Sequence, residues 1–371
     1  MKSREKVLLG ALVLLGFVEC ITHFGQVYPD SPGYMNLSKY LAGKEDLRSP
    51  ARLLRPVVPA LAALLEPLFG LGNAYGVVNL IMWISSSLIM FALCRDYLKY
   101  DFADAYTAAV LLTTSFPYLR WGGAVLTDMG AYFFILLSLY IWFHIDHEKG
   151  NCPIKRSEIA LILVANLGVL TKENVVMVPL FLLLSALFLR RPLRKSIILA
   201  GLCLLLPIGW VILSGSDYLH WYLTGGVKYS MERGFPIGPR LLIVAFTYAF
   251  GWVGAILAIF GFLSEDSDPM IRWHMNVLAA GLLVVFAWPV ADTRFMFILF
   301  PSIIPMSLAG LQWICRRLGK RPYLQTIPMW VWRVLSVALY VLANNYYTGI
   351  LSFPWSPYVD PAVTALGTSQ T

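Results

Sequence analysis

Charge is scarce in this sequence. Of its 371 residues 13% are charged and 58% hydrophobic, against about 25% and 45–50% in soluble domains. So little polar material could not cover a water-soluble fold of this length, which excludes the two or three soluble domains that length alone would suggest. The five cysteines, Cys20, Cys94, Cys152, Cys203 and Cys315, stand singly with no CxxC pair, so neither a disulfide framework nor a structural zinc is inferred. No GxGxxG, P-loop, HExxH or GxSxG pattern occurs, which leaves nucleotide-driven chemistry, zinc hydrolysis and serine acyl transfer without support. Internal repeats and low-complexity tracts are also missing. The net charge of +8 does not indicate nucleic-acid binding, because Lys and Arg flank apolar segments instead of forming a basic domain.

What the chain does have is long apolar runs, several of them beyond the 18 residues that mark a spanning helix. The expected fold is all-α, a polytopic membrane helical bundle of about 11 transmembrane helices with a long first external loop. Spans are expected at 7–24, 74–94, 105–119, 129–145, 158–171, 175–189, 196–214, 241–263, 274–290, 295–314 and 329–348. Residues 1–348 read as a single transmembrane domain and 349–371 as a short external tail. The basic start, Lys2, Arg4 and Lys6, before an 18-residue apolar run overlaps the signal-peptide pattern. That run is longer than a usual signal core, and it is read as the first permanent helix.

One step of this reading turns on charge. Glu158 to Leu189 is either one long helix or two short ones broken at Thr171, Lys172, Glu173 and Asn174. With the break, and the N-terminus cytoplasmic, ten Lys/Arg beyond residue 189 lie inside and four outside; one helix would invert that ratio. Positive loops stay cytoplasmic, so two segments are expected. The whole chain then places 18 Lys/Arg inside and 11 outside, the full complement of 29, and the C-terminus lies outside.

The first external loop, Gly25 to Asn73, runs about 49 residues, and long loops in a compact fold usually serve function. It carries Lys39, Lys44, Arg48, Arg52 and Arg55, cations that topology does not explain, an interfacial helix at Tyr34 to Ala42 and an apolar stretch at Val57 to Phe69. A second external loop, Gly215 to Arg240, is rich in Gly, Tyr and Trp. Asp30, Asp128, Lys172, Glu173 and Arg294 all stand at the outer ends of spans. Ionisable groups at membrane depth line cavities and pair with one another or with substrate. Blander readings stand beside this one. Asp128 after Thr127 is a good helix N-cap, Asp30 in Tyr28-Pro29-Asp30-Ser31-Pro32-Gly33 is ordinary turn chemistry, Lys172 and Glu173 could mark only a polar break, and Arg294 could anchor topology beside Asp292. Glu19 and His23, four apart on one helix face, read as an internal pair.

The ordered set Tyr28 to Gly43, Arg55-Pro56-Val57-Val58-Pro59, Leu126-Thr127-Asp128, Leu170-Thr171-Lys172-Glu173-Asn174 and Thr293-Arg294-Phe295 through Phe300-Pro301 resembles the GT-C superfamily of membrane glycosyltransferases. The resemblance is to the group that includes protein O-mannosyltransferases and aminoarabinose transferases, which use polyprenyl-phosphate-linked sugars. It covers roughly residues 1 to 315. In two respects the chain departs from that pattern: Asp30 is followed by Ser31 where members often carry a second acid, and neither external loop has a DxD.

The resemblance implies an inverting glycosyltransferase that moves a sugar from a polyprenyl-phosphate donor to an acceptor hydroxyl on the extracytoplasmic face. Asp30 would be the general base, and Asp128 and Glu173 would shape the site. A departing phosphate ester is already anionic and needs cations more than a proton, and Arg55, Lys172 and Arg294 are the candidates to hold it. No cofactor and no metal are expected; the partners are the lipid-linked donor, a hydroxyl acceptor on protein, lipid or glycan, and membrane lipids. The alternative is a polytopic transporter or lipid flippase, for which matching halves with broken helices are expected; a noncatalytic assembly subunit is a third reading.

Overall fold

The computed structural model describes residues 3–22, 24, 27–48, 50–145, 155–214, 250, 254–265, 267–287, 293–318 and 328–350. Regular structure among the described residues is entirely helical. In chain order the α-helices are α1 (Ser3–Thr22), α2 (Ser31–Leu41), α3 (Val57–Phe69), α4 (Leu71–Ala92), α5 (Phe102–Thr113), α6 (Asp128–Phe143), α7 (Arg156–Val169), α8 (Met177–Phe188), α9 (Leu193–Leu202) and α10 (Leu205–Ser214). They continue with α11 (Gly254–Leu263), α12 (Asp268–Ala287), α13 (Phe300–Leu318) and α14 (Met329–Ile350). Residues 215–240, read from sequence as a second external loop, His23, Asp292 and the tail beyond residue 350 lie outside the described residues.

Four stretches are long and apolar enough to cross a membrane: Leu71–Tyr97, Leu193–Ser214, Asp268–Ala287 and Arg294–Arg317. Helices α3, α5, α6 and α11 and the stretch Glu173–Phe188 are apolar but only 10–17 residues long. Eleven crossings therefore remain an expectation, with four of full length among the described residues. Leu64, Leu187, Ile212, Leu213 and Leu263 project from the helices largely exposed, as side chains do where the solvent is lipid.

The chain does break between α7 and α8, and it reverses there. Glu158 at the start of α7 lies 2.5 Å from Lys195, beyond the end of α8, while Lys172 in the break pairs with Asp128 at the start of α6. Helix α7 thus runs toward one end of the bundle and α8 returns from it. The backbone is extended at Lys172, φ −162° and ψ 135°, before a 3₁₀ turn over Glu173–Val176. Gly168 lets α7 close on its neighbours: a Cβ there would meet Val175 at 2.7 Å and Phe134 at 2.8 Å.

The span expected at 196–214 is two helices, α9 and α10, broken at Cys203 and Leu204. Pro207 has no N–H to continue the ladder, and the freed groups find a partner in Asn166 of α7. Its Nδ2 donates to the Leu202 carbonyl at 2.8 Å, and its Oδ1 accepts from the Leu206 amide at 2.9 Å. A backbone break inside an apolar layer needs such a partner. Elsewhere α11 and α13 cross backbone to backbone, since a Cβ on Gly261 would lie 1.8 Å from the Met306 carbonyl oxygen and one on Gly310 1.9 Å from that of Leu257. Ser307 donates to the Gly254 carbonyl at 2.8 Å across the same seam, the small-residue packing that joins helices in lipid.

Candidate active site

The loop between α1 and α4, read from sequence as external, folds back over the bundle instead of hanging free. Helix α2 begins three residues before the expected Tyr34, and the apolar stretch Val57 to Phe69 forms α3. A 3₁₀ turn over Pro50–Leu54 joins them, pinned by Trp210 of α10, whose Nε1 donates to the Leu53 carbonyl at 2.8 Å. Ser38 and Tyr75 lock α2 to α3 and α4: Ser38 Oγ donates to the Pro59 carbonyl at 2.9 Å, and Tyr75 Oη reaches the Tyr34 carbonyl at 2.9 Å. The loop's cations divide into two sets. Lys39 and Arg48 pair with Glu45, and Lys44 pairs with Glu66, all within the loop; Arg52 and Arg55 turn inward.

Inward they meet the expected acids. Asp30 occupies the N-cap position of α2 yet makes no capping bond from its side chain. That carboxylate instead accepts from Arg52 Nη2 at 2.5 Å and faces Arg294 Nη1 at 3.5 Å. Ser31 does the local turn's work, accepting from the Tyr28 amide at 2.9 Å. Arg55 grips Glu173 with two nitrogens, its Nε donating at 2.6 Å. Lys172 pairs with Asp128, and Asp128 likewise stands at a helix start where no side-chain cap forms.

Tyr34, one turn into α2, ties these pairs together. Its hydroxyl accepts from Arg52 Nη1 at 3.2 Å, from Arg55 Nη1 and from Thr127 Oγ1 at 3.4 Å, and Arg52 lies 4.7 Å over its ring. Gly33 leaves the lane for that arginine, since a Cβ there would sit 3.3 Å from Arg52 Nε. On the far side Arg294 lies over Trp121 and Phe295, and Lys172 over Phe295 as well. Arg120 completes the wall, over Tyr28 and Trp121, with no carboxylate against it among the described residues.

All six residues singled out from sequence thus gather at one end of the bundle, from four separated stretches of chain. Sequence reasoning did not place Arg52, Tyr34, Arg120 or Trp121 in the site. Tyr34 lay inside a quoted motif and Arg52 among the loop cations that topology does not explain, so a signal existed; nothing local marked Arg120 or Trp121.

Electrostatics separate the pairs. Lys172 and Asp128 keep only 3% and 1% of their side-chain surface, whereas Asp30 keeps 31%. Burial disfavours the Asp30 carboxylate, but the charges of Arg52 and Arg294 and the Arg52 hydrogen bond outweigh it and hold its pKa below the ordinary aspartate value. Three carboxylates meet five cations here, an excess suited to holding an anion.

No protein-family model matches the sequence, and no curated protein matches it. Solved structures do. The oligosaccharyltransferase of Archaeoglobus fulgidus, tethered to an acceptor peptide, aligns at a TM-score of 0.59 and 14% identity over 95% of this chain and 55% of its own. ArnT of Cupriavidus metallidurans aligns at 0.58 and 12% over 93% and 71%. The chain has the GT-C fold. It is an integral membrane protein spanning about half the length of the archaeal enzyme. The same two neighbours have also been solved with dolichol-phosphate and with undecaprenyl phosphate, at TM-scores of 0.59 and 0.54. At such low identity the GT-C likeness is one of fold, and the site must be argued from its own residues.

Proposed function

We propose that the protein is an inverting glycosyltransferase that takes a sugar from a polyprenyl-phosphate donor and passes it to an acceptor hydroxyl, with its site on the extracytoplasmic face, the N-terminus cytoplasmic and the C-terminus outside. The observation that carries the proposal is Asp30, a partly open carboxylate set between Arg52 and Arg294 in a cluster with cations to spare. The lipid-phosphate complexes of two proteins of the same fold support it.

The acceptor oxygen attacks the sugar's anomeric carbon while the bond from that carbon to the phosphate oxygen breaks. The bonding pair leaves with the phosphate, and the hydroxyl proton passes to Asp30. One displacement inverts the anomeric centre. The phosphodiester carries one negative charge and the departing monoester approaches two at neutral pH, so cations are worth more after the bond breaks than before, which is the condition for catalysis.

Arg294, Arg52 and Arg120 are best placed to take that charge. Arg55 and Lys172 are each engaged by an acid; in this reading they supply field and positioning, with Glu173 and Asp128 as their fixed partners. When the phosphate draws Arg52 and Arg294 away, Asp30 loses the partners that hold its pKa down and becomes a stronger base as the substrate arrives. The chemistry written this way uses no cofactor and no metal.

The test is transfer in vitro with polyprenyl-phosphate sugars. Asp30→Asn should lose a factor of about 100 to 10,000. Undiminished turnover by that variant would reject the base.

A further inference from the structure

A second cationic cleft lies at the other end of α6 and α8 from the candidate site. Asp128 and Trp142 are 14 residues apart on α6, about 21 Å along the helix. The cleft opens to the surface and is lined by Trp142, Ser185, Arg191, Lys195 and Ser196 among others. The transfer reaction makes no use of it.

The chain builds this cleft deliberately. Arg190 adopts the left-handed backbone, φ 55°, uncommon for a residue with a side chain. That turn brings the Arg191 amide onto the Ser185 carbonyl at 3.2 Å and its guanidinium 5.4 Å over the Trp142 ring. Among the described residues Arg191 has no carboxylate partner, and its Nε is buried without a hydrogen bond. A buried, unanswered guanidinium nitrogen is costly, and burial holds this group below the ordinary arginine pKa. Ser185 and Ser196 stand 3.3 Å apart, oxygen to oxygen, on the same wall. Among the described residues the acid beside the cleft, buried Glu158, pairs with Lys195 at 2.5 Å and leaves Arg191 without a carboxylate.

We infer that this cleft binds the phosphate of an anionic phospholipid head group. A guanidinium is a donor that phosphate oxygens favour, Ser196 adds a hydroxyl while Ser185 Oγ donates to the Leu182 carbonyl at 2.6 Å, and the surroundings decide for a lipid over a free anion. Leu183 and Leu187 on α8 and Leu193 and Ile197 on α9 are exposed at 37%, 72%, 61% and 51%. They form an apolar flank beside the basic cleft, where acyl chains would lie with the head group at the helix ends, near the polar boundary.

The proposal does not depend on the transferase reading. Native mass spectrometry of the full chain released from phosphatidylcholine nanodiscs doped with phosphatidylglycerol should retain phosphatidylglycerol selectively, and Arg191→Gln should weaken that retention about tenfold. Equal retention by both proteins would overturn the assignment. Should the variant fail to fold, the wild type still decides: phosphatidylglycerol bearing a photoreactive acyl chain should label α8 and α9 around Leu183, Leu187 and Ile197, and labelling spread evenly over the helices would contradict it. In phosphatidylcholine alone, inorganic phosphate should give no Arg191-dependent thermal shift. Such a shift, without selectivity for phosphatidylglycerol, would give the cleft to a free anion and reject the lipid.

Discussion

The Lys172–Asp128 pair and the Asp30 carboxylate share one end of the bundle and much of its charge, yet they are built for different tasks. The first is sealed, both side chains at 3% exposure or less, with Phe295 covering the ammonium. The second is open at 31% and shared between two arginines, each of which also touches an aromatic ring. A sealed pair has already met its desolvation cost and holds α6 to the α7–α8 turn. An open carboxylate with exchangeable partners can change its protonation and its contacts within a catalytic cycle. Burial, more than charge, tells scaffold from chemistry here.

Breaking the sealed pair should give the largest effect. Asp128→Ala leaves an uncompensated buried ammonium and should cost about 3–5 kcal/mol of stability, read as a lowered Tm in detergent. Combining it with Lys172→Met should restore most of that loss. A single variant as stable as wild type would mean that the pair carries no structural load.

Arg52→Gln acts on the open side and sharpens the contrast. It should lower transfer about tenfold through the lost charge-assisted bond and raise the Asp30 pKa toward its ordinary range. The sign follows from the depressed folded value: the Asp30 ion pair stabilises the protein above the unfolded pKa, and that contribution disappears as pH falls through the folded pKa. The acid limb of kcat/KM should therefore lie below the ordinary aspartate range in wild type and move upward in Arg52→Gln. An unmoved limb would detach Arg52 from the base.

Tyr34→Phe should have the smallest effect, a few-fold at most in rate. It removes one acceptor shared by Arg52 and Arg55, and both keep their carboxylates. A loss as large as that of Asp30→Asn would make the phenol itself a participant.

Much of this was legible in the sequence because the bilayer permits few solutions. Hydropathy placed α4, α6 and α14 within about three residues and α12 within about six, and the apolar stretch Val57 to Phe69 has the ends of the loop helix α3. The break at Lys172 was legible through charge asymmetry alone. The break in α9–α10 was not, because its compensation by Asn166 comes from 36 to 40 residues away, and only Pro207 hinted at it. At the site, sequence brought forward the charged ends of spans, but it could not tell a helix cap from a substrate-facing acid. Asp30 stands at a helix N-cap and Asp128 is the first residue of α6, after Thr127 at the cap, and only the folded structure shows their side chains turned to Arg52 and Lys172. Arg120 and Trp121 were invisible for a related reason: a short turn after α5 carries them to the cluster, and no periodicity records a turn's direction.

The central claim is that a lipid phosphate and the Asp30 carboxylate compete for the same arginines, and binding tests it more directly than rate. Titrating wild type and Asp30→Asn with a short-chain polyprenyl phosphate should show the variant binding about tenfold more tightly, even as its turnover falls, since asparagine releases Arg52 and Arg294 to the ligand. Weaker binding by Asp30→Asn, or affinity indifferent to both arginines, would contradict the account.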